Sequence, residues 1–269
     1  MTNKVISTPS MVVAGMIACT ALGNAAIVLE HHYEMGEVGT MSGGVPTDSV
    51  GSADFGNAVS GGLQTVSGDT AASGSTAYLT TTQTGNNGAY NAPGMAPSDI
   101  QNFAFDIWVR VQSADLNQNK FVFLSNGNNS GSLKLGINAS GEWMATNHAV
   151  GWIGATTGTG QTATADEWTR LTVIRSNGTS RFYINGVAQD GTNGGNITWS
   201  DTTQAHLAIQ PGGTSEFKGD IDDMKVWSFS GSDQLSDVEN TVFAAVPEPS
   251  STALIGLAGL GFILRRRRA

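Results

Sequence analysis

Between residues 103 and 111 the chain alternates with a period of two. Phe103, Phe105, Ile107, Val109 and Val111 fall on one side, and Ala104, Asp106, Trp108 and Arg110 on the other. Successive side chains of a strand point to opposite faces, so this pattern predicts a half-buried β-strand with the first set turned inward. Short runs of the same kind recur at 120–124, 133–137, 168–175, 181–184, 206–209 and 221–229, with turn residues between them. Two of those turns are specific. Asn177-Gly178 lies between 168–175 and 181–184, and Asn185-Gly186 between 181–184 and 187–189. Asn-Gly tolerates the positive φ angles of a type I′ turn, so 168–189 predicts a three-stranded antiparallel meander. Ser140-Gly141 and the 126–131 stretch (NGNNSG) break the chain in the same way. Residues 36–75 are rich in Gly and Ser and predict long loops, with brief strands around 55–59 and 78–81. A helix start appears near the end, at Ser236-Asp237-Val238-Glu239, where Ser and Glu have the spacing of a capping box. It predicts one short helix over 237–243. Many short strands between turns place the chain in the all-β class, as a sandwich or barrel.

Composition narrows the functions open to such a fold. Of 269 residues only 13% are charged, and 35 are Gly, which disfavours a helical bundle or coiled coil. The formal charge of −9 argues against nucleic acid, because phosphate binding needs a basic surface. The single Cys, Cys19, excludes an intrachain disulfide.

The two ends differ from the middle. The apolar run 11–22 would reach roughly 18 Å as a helix, short of a bilayer core of roughly 30 Å. Lys4 precedes it and Gly23-Asn24-Ala25-Ala26 follow. A basic start, an apolar centre and a small-residue exit predict a secretory signal over 1–26, cut after Ala25 or Ala26 by the secretion machinery. Cys19 leaves with it. At the other end, Pro247-Glu248-Pro249 forms a helix-refusing, accessible segment. An apolar stretch follows over 253–264, built on Leu254, Ile255, Leu257, Leu260, Phe262, Ile263 and Leu264. Arg265, Arg266, Arg267 and Arg268 close it and should stay cytoplasmic. This tripartite end resembles the PEP-CTERM sorting signal. The resemblance implies transient anchoring in the inner membrane and cleavage near Pro247-Glu248-Pro249 by an exosortase, after which the protein resides at the cell surface or in the extracellular matrix. A simple tail anchor is the alternative, although its apolar span would usually be longer. The domains are then a signal at 1–26, a sandwich at 27–244 and a sorting segment at 245–269. Loss of both ends removes Lys4 and the four arginines, which makes an acidic chain more acidic and leaves it free of Cys.

Three pieces of the middle resemble a known family: NFAFDIWVRV (102–111), EWTRLTVIRSNGTSRFYINGVAQ (167–189) and FKGDIDDMKVWSFSGSDQLSDVE (217–239). In this order they are similar to laminin-G-like, concanavalin A-like domains, well over about 100–240 and weakly over 27–100. The resemblance implies a jelly roll of two antiparallel sheets that binds carbohydrate or protein, often with calcium.

Catalytic chemistry is hard to find. A glycoside hydrolase needs two carboxylates about 5–10 Å apart. Asp220 and Asp222 share a strand face, but Asp222 lies in the family's closing strand and reads as a structural hydrogen-bonding acid. Asp166-Glu167 reads as a solvated turn. Glu30, His32 and Glu34 alternate, which could offer zinc ligands on one face but reads as an exposed edge strand, with His31 on the opposite face. His148 and His206 have no patterned partner. No Gly-x-Ser-x-Gly elbow, P-loop or Gly-x-Gly-x-x-Gly fingerprint occurs. Calcium would draw on the early loops, where Asp48, Asp54 and Asp69 are candidates, though no residue can be assigned as a ligand. Trp143, Trp152 and Trp199 either stack on sugar rings or fill the ends of the sandwich. The sequence therefore predicts an exported binding module for polysaccharide or a surface protein, and no enzyme. A ligand-free structural matrix protein and a glycoside hydrolase with an unusual acid pair are the alternatives.

Overall fold

The computed structural model describes residues 26–59, 63–68, 71–72, 74–81, 88–147, 151–153, 160–200, 204–209 and 216–244. The signal segment through Ala25, the sorting segment from 245 onward, Asp69 and His148 lie outside them. In chain order the strands are β1 (Val28–Tyr33), β2 (Met41–Ser42), β3 (Val45–Pro46), β4 (Asn57–Val59), β5 (Gln64–Ser67), β6 (Ala77–Thr80), β7 (Gly88–Tyr90), β8 (Phe103–Val111), β9 (Lys120–Asn128), β10 (Leu133–Ile137), β11 (Trp143–Asn147), β12 (Gly151–Ile153), β13 (Trp168–Ser176), β14 (Thr179–Ile184), β15 (Val187–Ala188), β16 (His206–Leu207) and β17 (Gly219–Ser228). One helix, α1 (Leu235–Ala244), follows.

Two antiparallel sheets face each other. The first runs β15-β14-β13-β8-β17-β6-β5 and the second β12-β11-β10-β9-β16-β7-β4. The far edge of β17 is shared in tandem. β6 pairs with Asp220 and Ile221, and β1 pairs with Met224 to Ser228. The predicted inward set of β8 (Phe103, Phe105, Ile107, Val109 and Val111) is fully buried in the shared core. Phe105 stacks on Phe123 of β9 at 4.2 Å between ring centroids, joining the two sheets at their centre. The meander is formed by β13, β14 and β15, paired in register. Asn177 and Gly178 have φ of 49° and 75°, and Asn185 and Gly186 have 50° and 78°, as a type I′ turn requires.

Three local expectations change. The outer face of β8 is not solvated: Ala104 and Asp106 are fully buried. The cause is α1, whose Val238 and Val242 pack across that face against Ala104, Ile174, Tyr183 and Trp227. Arg170 fastens the helix. Its guanidinium bonds Asp106 at 2.8 Å and also donates to the Val242 carbonyl at 2.8 Å, satisfying a C-terminal acceptor of α1. The helix begins two residues earlier than the capping box predicts. Ser236 lies inside the first turn, and Glu239 accepts from the Tyr183 hydroxyl on β14. Finally, β9 runs on to Asn128, past the expected break at 126.

Candidate ligand-binding cleft

Alternation along β1 should separate Glu30 from His31. A bulge between Leu29 and His31 overrides it. The extra residue shifts the phase of the strand. Glu30 and His31 therefore line one cleft together, while His32 turns to the other face of the sheet. The cleft has a volume of about 560 Å³, and its walls are completed by Gly94, Ala96, Pro97, Ser98 and Ile100 and by Trp199 and Ser200. Trp199 packs edge-on against Phe103 and tilted against Phe123, so a core side chain forms the floor. Ile100, Pro97 and Ala96 add apolar wall, and Ser98 and Ser200 are exposed at the rim.

The polar groups are held in place. His31 Nδ1 lies 2.7 Å from Asp48 Oδ2. Asp48 also accepts backbone N–H bonds from His32, Val50, Gly51 and Ala53 at 3.0–3.2 Å. Burial alone would push this carboxyl up, but the imidazole and the N–H groups of His32, Gly51 and Ala53 outweigh it and hold it well below the usual carboxylate range. An acceptor-only Asp48 requires a proton on His31 Nδ1. Glu30 accepts from the Ser98 N–H at 2.9 Å and from the Ser228 hydroxyl at 2.7 Å.

Behind the cleft, β17 carries a second bulge. Its pairing with β8 slips between Asp222 and Lys225, and Asp223 takes a φ of 45°. Asp223 is bonded by His32 Nε2 at 2.6 Å and by Lys225 at 2.5 Å. Burial raises its pKa, yet His32 and Lys225 bring it down to about 2. Asp222 is fully buried, accepts from the Ala72 N–H at 2.9 Å and leaves Oδ1 without a partner. Burial, then the Asp223 charge beside it, push Asp222 up to about 8. The two adjacent acids are thus pushed in opposite directions, and Asp222 serves the closing strand as a buried hydrogen-bond acceptor.

The other sequence candidates scatter. Asp220 pairs with Arg110 at 2.8 Å, and that guanidinium lies 4.8 Å from the Tyr78 ring and 4.9 Å from that of Trp168. Asp166 and Glu167 are exposed at a turn. Glu34 lies outside β1 and stays within 3.8 Å of His32, but the bulge turns Glu30 to the cleft, away from both. His206 is buried and stacks on Tyr90, and its burial lowers its pKa. Trp143 and Trp199 are both buried, filling the sandwich rather than standing on its surface. The side chain of Trp152 lies outside the described structure. Of the calcium candidates, Asp48 is saturated by N–H donors, Asp54 accepts from the Asp48 N–H at 2.8 Å, and Asp69 lies outside the described residues. Among the described residues no group of three His, Cys, Asp or Glu could hold a metal ion. Sequence reasoning missed Ser98, Ile100 and Ser200, which carry no motif, and placed His31 away from Glu30 because a bulge leaves no signal in a period of two.

Two facing antiparallel sheets capped by one short C-terminal helix define a concanavalin A-like sandwich. The chain belongs to the Laminin_G_3 family of the concanavalin A-like lectin/glucanases superfamily, which it matches over residues 73–234. Residues 245–268 match the PEP-CTERM protein-sorting motif, which marks an exported protein. No curated protein matches the chain. Among solved structures it is similar to domain 4 of AbnA, a GH43 extracellular arabinanase from Geobacillus stearothermophilus in complex with arabinotriose. The identity is 19%, the TM-score 0.59, and the match covers 83% of this chain and 99% of that one. A Trypanosoma rangeli sialidase in complex with 2,3-difluorosialic acid matches at 13% identity and a TM-score of 0.55, over 80% of this chain and 32% of the sialidase. The ligand-binding domain of botulinum neurotoxin serotype D, in complex with N-acetylneuraminic acid, matches at 16% and 0.50, over 80% of this chain and 50% of that one. At these identities the likeness is one of fold.

Proposed function

We propose that the mature protein is a non-catalytic carbohydrate-binding module of the cell surface or extracellular matrix, delivered by exosortase processing of its C-terminus. The cleft carries the reading. It joins apolar wall from Trp199, Ile100 and Pro97 to fixed polar groups from Glu30, His31, Ser98 and Ser200, the mixture that a saccharide with apolar faces and a hydroxyl rim requires. Binding without turnover is supported by the lining itself. Glu30 is the carboxylate among the lining residues, and both its oxygens are already hydrogen-bonded, whereas glycoside hydrolysis needs two carboxylates across the bond. The solved arabinanase domain with its bound arabinotriose agrees in kind.

The test is affinity electrophoresis of the cell-derived protein in gels containing the polysaccharide of the producing cells. Retarded migration is expected, and Ser200→Trp at the exposed rim should abolish it by filling the cleft. Unretarded migration with every host polysaccharide would overturn the reading and return the protein to an acidic spacer of the matrix.

A further inference from the structure

The hydrogen bonds around the cleft run in one direction. The Ser98 hydroxyl donates to Ser228 Oγ at 3.1 Å, and the Ser228 hydroxyl donates to Glu30 Oε1 at 2.7 Å. The Ser98 N–H donates to Glu30 Oε2 at 2.9 Å. Both hydroxyl protons are committed inward, and the chain ends on a carboxylate. A serine oxygen that has spent its proton can only accept from a ligand, and a carboxylate can only accept. The Nδ1 proton of His31 is likewise committed, to Asp48, because two acceptors would otherwise face each other at 2.7 Å. Ser98 and Glu30 thus line a wall of acceptors carrying a negative charge.

We propose that the cleft selects a hydroxyl-rich, uncharged stretch of glycan and rejects uronate- or sialate-bearing chains. This rests on the carbohydrate reading above and specifies its ligand. Sugar hydroxyls supply the donors that the wall lacks. A carboxylate sugar would set acceptor against acceptor and lose its hydration against the Ser98–Glu30 wall.

The test titrates the cell-derived protein with neutral dextran, laminarin and arabinan and with alginate, a polyuronate. It is run in low salt and again in about 0.5 M NaCl, where the Debye length is about 4 Å and the acidic surface no longer repels polyanions at a distance. Saturable binding of at least one neutral glycan is expected, with alginate at least about tenfold weaker in both salts. Glu30→Gln, matched to the wild type by thermal unfolding, should narrow that gap to about threefold by supplying an amide donor and removing the charge. Alginate binding as tight as that of the neutral glycan in high salt would overturn the proposal and leave the carbohydrate reading standing. So would a gap that Glu30→Gln does not change. Failure of every glycan to bind would sink both.

Discussion

Asp222→Asn should flatten the pH dependence of stability across the neutral range. The buried carboxyl is pushed up to about 8 in the fold, while an unfolded aspartate ionises near 3.8. Folding must therefore take up a proton at any pH between those values. The unfolded state binds fewer protons there, so stability is full below about 4, falls by about 1.4 kcal/mol per pH unit, and levels off above about 8. From pH 5 to pH 7.5 the loss is about 3 kcal/mol, a large part of a domain's total of about 5–15 kcal/mol. An asparagine keeps the acceptor for the Ala72 N–H and has no charge to suppress. His206 pulls the other way, since its buried ring must stay neutral in the fold and favours higher pH. The informative quantity is thus the difference between variant and wild type. Urea unfolding followed by the fluorescence of the six tryptophans, at pH 5 and 7.5, supplies it. The variant should gain on the wild type by about 2–3 kcal/mol between the two pH values, allowing for the part-satisfied amide. Equal slopes for the two proteins would refute the assignment of Asp222 as the neutral member of the pair.

The acid limb should be governed by Asp48 and Asp223. Both are held below the usual range in the fold, so the stability they contribute is present above about pH 4 and lost as the pH falls further; an acid-unfolding midpoint that Asp48→Asn leaves unmoved would contradict this. Asp106→Ala should cost about 3–5 kcal/mol, because it strands a guanidinium that is 4% exposed, whereas Asp106→Leu with Arg170→Met should recover most of the loss in thermal unfolding. Hydrogen exchange at α1 should rise in either single variant if Arg170 is what fastens the helix. Intact mass of the cell-derived protein should lack both 1–26 and the apolar stretch 253–264, and Glu248→Ala should leave the C-terminus uncut; an uncut wild type would contradict the sorting reading.

Where one face of a strand meets the core, the chain spells out its structure. Phe103 to Val111 and the two Asn-Gly turns are legible because a period of two and a positive φ each leave a local mark. The second buried face of β8 is not legible. Asp106 and Arg170 look like solvent-facing charges until a helix some 65 residues beyond Arg170 covers them. The candidate site was half visible. Glu30 reads together with His32 and Glu34, with His31 on the opposite face, but a one-residue bulge decides which face each occupies, and period counting does not see it. Ser98 and Ser200 are ordinary loop residues in sequence. They matter because the fold brings Ser98 beside Glu30 and carries the Trp199-Ser200 step to the same cleft.

The tandem pairing on β17 bears on when the chain can fold. β1, near the start of the described chain, and β6 both take their place beside a strand that ends at Ser228. β6 has β5 beside it from the start, but among the described residues β1 pairs with β17 alone and cannot settle until almost all of the described chain is available, and closing so long a loop is an entropic cost met late. An exported chain threaded from its N-terminus would present β1 on the far side of the membrane well before its partner arrived. Arranged this way, the sandwich resists premature collapse while it is being translocated, and the last strand to emerge is the one that locks the first.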